Sequence, residues 1–250
     1  MFRNSTLEKK LFPSAILMLL GLTVSATGQV RMPPGRAPQR AAILQYMSGE
    51  VSVAPSASNQ WTAARLNQPL TPSEYVWTAA NSRAEINVGG GFIRMNSEAS
   101  LTLVALNPGN VQVSVNQGEV SLTVFRLPPG EIYEIDTPNA TLTATKSGVY
   151  HVVVKPEEEQ TLVTTRKGSI VATGRGPAVT INSGQEVSFL NDNSLQHSAQ
   201  KAPPPDGFED WASVRDKRLG VSRPPFVVGF GYGPYPYGAV AVPGPPPPPY

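Results

Sequence analysis

The sequence predicts an all-β fold, a sandwich- or solenoid-like stack of many short antiparallel strands with one short C-terminal helix. Three observations lead to this prediction. Apolar residues alternate with polar ones in short segments from about Gly49 to Phe189, glycine, proline and asparagine separate these segments, and only one stretch has clear helical spacing. Alternation at period two is typical of strands that bury one face. Closely spaced strands of this kind favour a sandwich, barrel or solenoid over βαβ units.

The alternation is clearest in two adjacent segments. Val111 to Val115 and Val120 to Val124 carry valine or leucine at every second position, with polar residues between them. A recurring unit, a glycine followed by alternating apolar residues, starts at Gly49, Gly118 and Gly168. We expect this glycine to adopt a positive φ where a hairpin enters its second strand.

The one predicted helix lies near residues 206–219 and closes the β domain. Asp206 is a capping residue, and Glu209 three positions later completes a pair that resembles a capping box. Phe208 and Trp211 follow at helical spacing. Because a helix of this length is marginal by itself, we expect both aromatic side chains to pack onto the strands.

The first 26 residues predict an export signal. Basic residues precede the apolar stretch Leu11–Val24, which ends in small residues that suit a signal peptidase at Ala26. The stretch is shorter than the roughly 20 residues that a membrane span needs. We therefore expect a cleaved signal and a periplasmic or secreted protein. The alternative is an uncleaved signal that anchors a sensor component in the membrane.

Composition divides the remaining chain into three regions. Residues 27–40 are rich in proline and arginine, so we expect a flexible lead-in there, and we expect residues 41–219 to form the β domain with its closing helix. Residues 220–250 are a tail rich in proline, glycine and aromatic residues. Proline fixes φ and cannot donate a hydrogen bond, so we expect this tail to be disordered.

The charge and cysteine content narrow the possible partners. The chain has 20 basic and 18 acidic residues, and removal of the signal would leave 17 of each. A neutral domain lacks the basic patch of a nucleic-acid-binding protein, so we expect no nucleic-acid partner. With no cysteine, an exported chain has to depend on a buried core, and we expect no membrane span after signal cleavage.

The order of several short motifs resembles the FecR domain. The motifs of the first half are Gly49-Glu50-Val51-Ser52-Val53, Trp61, Ala64, Asn67-Gln68-Pro69-Leu70, Val76-Trp77-Thr78, Ser82-Arg83-Ala84-Glu85, Phe92-Ile93-Arg94-Met95 and Leu101-Thr102-Leu103. Asp136-Thr137-Pro138-Asn139-Ala140 followed by Gly148-Val149-Tyr150-His151-Val152 is similar to the core pattern of the family. The stretch Phe208-Glu209-Asp210-Trp211 with Arg215-Asp216 resembles the end of exported FecR-domain proteins.

The resemblance covers about Ala41 to Leu219 and implies an all-β periplasmic domain that binds or transmits rather than catalyses. Relatives that regulate iron uptake carry an N-terminal cytoplasmic segment that contacts a sigma factor. About ten residues precede Leu11 here, so we expect no such anti-sigma segment and no signalling by that route.

The motif residues also have structural roles. Thr137 should be extended because Pro138 follows it, and Gly148 should turn the chain before Tyr150 enters the core. Together with Phe208 and Trp211, these are the structural residues that we single out. In the segment Ser82-Arg83-Ala84-Glu85, we expect Ala84 to face inward while Arg83 and Glu85 face water.

The sequence carries no recognisable catalytic motif. His151 should lie on the polar, exposed face of its strand and His197 in a polar loop, and neither has an acidic pair at metal-ligand spacing. The glycine run at residues 89–91 predicts a turn, and the acidic run at residues 157–159 a solvated loop. We therefore expect no catalytic residue, no metal and no cofactor.

These observations favour a non-catalytic interaction or signalling-associated domain that binds a protein or an envelope polysaccharide. The alternatives are a carbohydrate-active envelope enzyme and the anchored sensor component. An enzyme of that kind would need two carboxylates about 5 to 9.5 Å apart in a cleft.

Overall fold

The computed structural model describes residues 41–55, 58, 60–190 and 193–219. The predicted signal (1–26), lead-in (27–40) and tail (220–250) lie outside the described residues.

The described residues form seventeen strands and one α-helix. The strands are β1 Ala42–Ser48, β2 Val51–Pro55, β3 Thr62–Ala63, β4 Gln68–Leu70, β5 Glu74–Thr78, β6 Arg83–Asn87, β7 Gly91–Met95, β8 Ser100–Asn107, β9 Asn110–Val124, β10 Ile132–Asp136, β11 Thr141–Ala144, β12 Gly148–Lys155, β13 Gln160–Lys167, β14 Ser169–Thr173, β15 Val179–Asn182, β16 Gln185–Leu190 and β17 His197–Lys201. The helix α1 is Gly207–Leu219, and a short 3-10 turn occupies Pro156–Glu158.

The strands form two sheets that share one long strand. Sheet A has the order β4-β1-β6-β7-β9-β12-β13-β16-β17. Sheet B has the order β3-β2-β5-β8-β9-β10-β11-β14-β15. Strand β9 pairs in sheet B up to Gln117 and in sheet A from Gly118 onward. The predicted all-β stack with one C-terminal helix is confirmed.

After β9, hairpins alternate between the two sheets. Hairpin β10–β11 lies in sheet B, β12–β13 in sheet A, β14–β15 in sheet B and β16–β17 in sheet A. The first hairpin in each sheet pairs with β9 and the second pairs with the first, which gives the solenoid-like stack. One pair departs from the antiparallel expectation, because β10 runs parallel to β9. The chain leaves β9 in sheet A and returns beside the start of β9 in sheet B, so both strands point the same way.

The core lies between the sheets and is built from the alternating residues. Val111, Val113 and Val115 are buried from sheet B, and Val120 and Leu122 from sheet A. Inward-facing side chains of β6, β7, β10 and β12 complete it. They include Ala84, Ile86, Ile93, Met95, Tyr133, Ile135, Tyr150 and Val152. The hydrophobic burial that a cysteine-free fold requires is therefore concentrated in one continuous layer.

Gly118 marks the point where β9 passes from one sheet to the other. Its φ is +86°, and the glycines of the other two recurring units, Gly49 and Gly168, have φ values of +75° and +91°. The predicted positive φ is confirmed at all three. The predicted hairpins are wrong, because each glycine lies where the chain passes between sheet A and sheet B. At Gly118 a Cβ would also lie 2.5 Å from the Cα of Ala99. The crossing therefore requires glycine for two independent reasons.

Gly118→Ala should destabilise the protein more than the same change at a glycine of similar backbone conformation. Gly130 has a φ of +83°, and a Cβ added there would meet no atom within 4 Å, so Gly130→Ala measures backbone strain alone. We expect Gly118→Ala to cost about 1–3 kcal/mol more, because an added atom in a packed region forces the backbone to shift. Urea denaturation of both variants measures this difference. Equal losses of stability in the two variants would show that the backbone near Ala99 can move to admit the added methyl group at little cost.

Candidate functional site

Helix α1 lies on the outer face of sheet A, which is unusually polar. The side chains that it covers come from β6, β7, β9, β12 and β13, on the positions that alternate with the core residues. They are Arg83, Glu85, Arg94, Ser121, Thr123, His151 and Arg166. The helix is therefore attached largely by charged and polar groups, in two clusters joined by aromatic rings.

The predicted capping box fixes the start of α1. One carboxylate oxygen of Asp206, Oδ1, accepts hydrogen bonds from the backbone N–H groups of Phe208 at 2.9 Å and Glu209 at 2.8 Å. Glu209 Oε2 accepts one from the backbone N–H of Asp206 at 3.2 Å. These bonds satisfy N–H groups that a helix start leaves without partners.

The first charged cluster surrounds His151. Its Nε2 lies 3.0 Å from Glu119 Oε1, and its Nδ1 lies 3.1 Å from Glu209 Oε1. Arg166 donates to both oxygens of Glu209, at 2.7 Å and 2.5 Å. Asp206 lies close enough that one atom each of Glu119, His151 and Asp206 fall within 4.8 Å of one another. Two strands and the helix cap thus converge on one imidazole.

Electrostatics within this cluster favour the charged form of His151. Burial alone would lower the pKa of His151, but the carboxylates of Glu119 and Glu209 outweigh it and raise the pKa to about 9. Burial would raise the pKa of Glu209, yet His151 and Arg166 lower it to about 2. For Asp206, burial and the neighbouring Glu119 both raise the pKa. The cluster is a coupled network rather than a set of separate ion pairs.

His151 is buried, although the sequence predicts an exposed position. The alternation is correct, since His151 points away from the core that Tyr150 and Val152 enter. Helix α1 then covers this face and leaves His151 only 5% exposed. His197 also differs from its prediction, because it begins strand β17 instead of lying in a loop, and it is exposed.

The second charged cluster centres on Glu85, and it corrects another prediction. Glu85 is 0% exposed, as is Arg94, which donates to it through Nε at 2.7 Å. Arg215 of the helix donates to both carboxylate oxygens, at 2.8 Å and 2.7 Å, and Gln45 donates at 2.7 Å. Arg94 also reaches Asp216 of the helix at 2.6 Å. Glu85 therefore faces the helix and not water, because a distant segment of the chain covers its strand.

Acid should destabilise the protein partly through Glu85. Burial alone would raise its pKa, but hydrogen bonds from Arg215 and Gln45 and the charge of Arg94 hold the pKa below 4.5. A depressed native pKa adds stability that is complete above the unfolded value and is lost as the pH falls through the folded value. Thermal midpoints measured from pH 7 down to pH 3 should therefore fall less steeply for Glu85→Gln than for the wild type. If the thermal midpoints of both proteins fell equally steeply with pH, the lowered pKa of Glu85 would be contradicted.

Aromatic rings connect the two clusters. The ring of Phe208 is 2% exposed and stacks on Trp211 at 5.6 Å, and Tyr46 contacts Trp211 at 5.5 Å. The guanidinium of Arg83 lies 5.1 Å from the Trp211 ring, and that of Arg215 lies 4.1 Å from the Tyr46 ring. Arg83, predicted to face water, is half-buried beneath the helix. Phe208 and Trp211 lie where a closing helix would place them.

The remaining predicted residues belong to hairpins away from α1. Thr137 and Pro138 form the turn between β10 and β11, where the backbone N–H of Thr137 donates to Ala140 O at 2.9 Å. Gly148 begins β12 instead of making the turn, which lies in the preceding residues. A Cβ at Gly148 would lie 2.1 Å from the carbonyl oxygen of Lys167. Glycine is therefore required here because the neighbouring backbone leaves no room for a side chain. Tyr150 is fully buried.

The glycine run and the acidic run both lie in turns. The run at residues 89–91 connects β6 to β7, and residues 157–159 are exposed around the 3-10 turn. Both placements match the sequence predictions.

A small cavity lies between α1 and sheet A. Its volume is about 220 Å³, and its lining includes Ser121, Val149, Arg166, Glu209 and Asp216. Ligand pockets for small molecules usually measure about 300–1,000 Å³. The cavity is therefore a gap beneath the helix rather than a roomy binding pocket.

The outer face of sheet B differs from that of sheet A, because α1 does not lie on it. Tyr75 and Trp77 of β5 alternate with the buried Val76 and point outward, and Trp61 lies 6.3 Å from Tyr75 between ring centres. All three rings are half-buried and remain accessible. They form an aromatic cluster on one half of this face.

A row of paired residues continues from the aromatic cluster across sheet B. The residues of this row are paired with one another on neighbouring strands, in the order Tyr75, Thr102, Ser114, Asp136, Thr141 and Thr173. Gln112 donates to Asp136 at 2.8 Å, and the Thr141 hydroxyl donates to it at 2.9 Å. Thr143 donates to Glu134 at 3.3 Å. We call this aromatic cluster and polar row together the sheet B surface.

Sequence reasoning missed both the sheet B surface and the charged clusters. The alternation already showed Tyr75 and Trp77 on the outer face of their strand, so that part of the surface could have been found. Arg94 is nine residues from Glu85, but the other partners of His151 and Glu85 come from segments 32 to 130 residues away in the chain. No spacing rule along the sequence connects them.

Comparison with known families identifies the class of domain. Residues 74–171 match the family model described as FecR protein. The match runs from β5 into β14 and includes the shared strand β9. The predicted resemblance is confirmed over residues 74–171, which lie within the broader predicted domain 41–219.

Solved structures that match the chain include two crystal structures, each of a candidate anti-sigma factor from Parabacteroides distasonis ATCC 8503. The 2.50 Å structure is 13% identical, with a TM-score of 0.44, and the match covers 51% of this chain and 59% of that one. The 1.65 Å structure is 12% identical, with a TM-score of 0.46, and the match covers 56% of this chain and 64% of that one. The chain thus spans about three fifths of these solved proteins.

No curated protein matches the chain. Among the described residues, α1 falls short of the length and apolar character that a membrane-crossing helix needs.

Proposed function

We propose that this FecR-domain protein is an exported, non-catalytic binding domain that recognises a protein partner through the sheet B surface. The observation that carries this proposal is the continuous row from Tyr75 to Thr173, with Trp61 and Trp77 beside it. Tryptophan and tyrosine are enriched in protein interfaces. They are also enriched among the few interface residues that carry most of the binding energy.

The chemistry of the surface favours a particular kind of partner. Glu134 and Asp136 point outward from β10, next to threonine, serine and glutamine side chains. The described part of the row carries acidic but no basic groups. A protein that presents basic residues beside an apolar or aromatic side chain would complement it. An envelope polysaccharide, which can also stack on aromatic rings, is the alternative ligand.

Glu209 and Asp216, the acidic residues of α1 that pair with sheet A and line the cavity, do not supply the general acid that a carbohydrate-active enzyme needs. A glycosidase needs a carboxylic acid whose pKa is raised so that it can donate a proton. Arg166 and His151 instead hold the pKa of Glu209 at about 2. Asp216 is paired with Arg94. Both groups attach the helix to the sheet, which favours a structural role for them.

Affinity capture with the full chain tests the binding proposal. We expect the immobilised protein to capture a specific envelope protein, identified by mass spectrometry, whose recovery falls about 30-fold with Trp61→Ala. Such a loss corresponds to a hot spot of about 2 kcal/mol. Asp136→Asn should weaken capture less. Glu157→Gln, an exposed change away from sheet B, is the matched control.

Circular dichroism verifies that each variant is folded. Recovery of one protein by the wild type and Glu157→Gln, but not by Trp61→Ala, would support the proposal. Equal recovery by all variants, or capture of polysaccharide alone, would contradict it.

Export has its own test. The proposal expects the mature protein to start near Thr27, because the peptidase site would follow Ala26. N-terminal sequencing of protein recovered from the envelope fraction measures this directly. A chain that still begins at Met1 would favour the anchored sensor component instead.

A further inference from the structure

We propose that Glu119, His151 and Asp206 form a binding site for a divalent transition metal, with Zn²⁺ as the best-fitting ion. The site lies where the start of α1 meets sheet A, and it goes beyond the proposed function without depending on it. Its three ligand atoms would be one imidazole nitrogen and two carboxylate oxygens, which are all atom types that bind Zn²⁺, and three protein ligands leave a fourth coordination position open.

The geometry of the three groups suits one ion. Their ligand atoms all lie within 4.8 Å of one another, and His151 Nε2 is 3.0 Å from Glu119 Oε1. Zinc–ligand distances of about 2.0–2.2 Å place tetrahedral ligand atoms about 3.4 Å apart. Side-chain adjustments of less than about 1.5 Å would therefore bring the three atoms around an ion.

Each of the three side chains has further partners that hold it in place. Glu209 lies 3.1 Å from Nδ1 of His151, which leaves Nε2 facing Glu119. This is the carboxylate–histidine–metal arrangement in which an outer carboxylate orients the imidazole. Asn96 donates to the second oxygen of Glu119, and helix N–H groups donate to Oδ1 of Asp206. The site is therefore supported on two strands and a helix cap.

The burial of His151 and the carboxylates around it both favour a bound cation. His151 is 95% buried, and one of its ring nitrogens lies within 4.8 Å of a carboxylate oxygen of Glu119 and of one of Asp206. Three carboxylates, those of Glu119, Asp206 and Glu209, face two cationic groups, Arg166 on Glu209 and the imidazole of His151 between Glu119 and Glu209. A divalent cation would take the place of the proton on Nε2 of His151 and would relieve the repulsion between Glu119 and Asp206. The imidazole ligand favours a transition metal over Mg²⁺ or Ca²⁺, which prefer oxygen ligands.

The full chain, purified without a histidine tag, permits a direct test. It contains two histidines, His151 and His197, so ring resonances in a ¹H–¹⁵N spectrum can be assigned by substitution. We expect added Zn²⁺ to shift the resonances of His151 at a stoichiometry of one and to leave those of His197 unchanged. Titration calorimetry should give a saturable site for Zn²⁺ and Co²⁺, with Mg²⁺ and Ca²⁺ binding at least about tenfold more weakly.

Matched variants identify the ligands. Asp206→Asn keeps a good helix-capping residue and Glu119→Gln keeps an acceptor for Asn96, yet each should lower Zn²⁺ affinity about tenfold or more. His197→Gln is the control and should bind as the wild type does. If a variant unfolds, the wild-type resonance shifts still decide the question. No saturable binding, shifts at His197 instead of His151, or full affinity in both carboxylate variants would overturn the proposal.

Discussion

Glu85→Gln should cause one of the two largest losses of stability, about 3–5 kcal/mol. Breaking a buried ion pair by removing one partner leaves the other charge buried without compensation. Here Arg94, which is 0% exposed, would keep only Asp216 as an acidic partner, and Arg215 would lose the carboxylate with which it pairs. The substitution also weakens the attachment of α1, because Arg215 donates two hydrogen bonds to the same carboxylate.

Urea denaturation monitored by circular dichroism measures this loss. Glu157→Gln makes the same chemical change at an exposed position and should alter stability by less than about 0.5 kcal/mol. If Glu85→Gln were as stable as that control, water would have to reach Arg94, and the burial of the cluster would be wrong.

Phe208→Ala should release helix α1 from sheet A. The ring is 2% exposed and packs against Trp211 and His151, at 5.6 Å and 6.0 Å between ring centres. Truncation of a buried phenylalanine costs about 3–5 kcal/mol. Because a 13-residue helix is marginal without tertiary contacts, we expect α1 to detach before the sheets unfold.

Hydrogen exchange separates detachment from global unfolding. Amides of α1 should lose protection in Phe208→Ala, while those of β9 and β12 in the core keep it. Val214→Ala is the matched control, since Val214 lies on the same helix and is 45% exposed. Uniform loss of protection across the sheets, or unchanged protection of α1, would contradict the expected local release.

The nature of the contacts explains why α1 has one defined position. Buried ion pairs contribute little net stability compared with apolar packing, but a wrong arrangement of them is costly. A shifted helix would separate Arg215 from Glu85, Asp216 from Arg94 and Glu209 from Arg166. The aromatic rings supply attraction, and the charged pairs at both ends of the helix fix its register.

Much of the fold could be predicted from the sequence because its signals are local. Period-two alternation in β9 reports which side of the strand is buried, and positive φ at Gly118 follows from its position before an alternating segment. The capping box of Asp206 and Glu209 is equally local, since both partners lie within one turn of the helix. The family resemblance depended on the order of such short motifs.

The environments of Glu85 and His151 could not be predicted in the same way. Alternation correctly placed both side chains on the outer face of sheet A, but it could not reveal that α1 covers this face. The pKa of about 9 for His151 arises from Glu119 and Glu209, which belong to other elements. Burial and charge pairing there depend on how the elements are arranged in space.

The sequence by itself determined that the domain is made of strands, that Gly118 has a positive φ and where the terminal helix begins, because each depends on neighbours a few positions away. Only the tertiary structure decided that a polar sheet face is closed by Arg215, Asp216 and Glu209, and that the rings of Tyr75 and Trp77 stay open. The physical reason is that burial and electrostatics depend on distance in space, and the chain brings these partners together only when it folds.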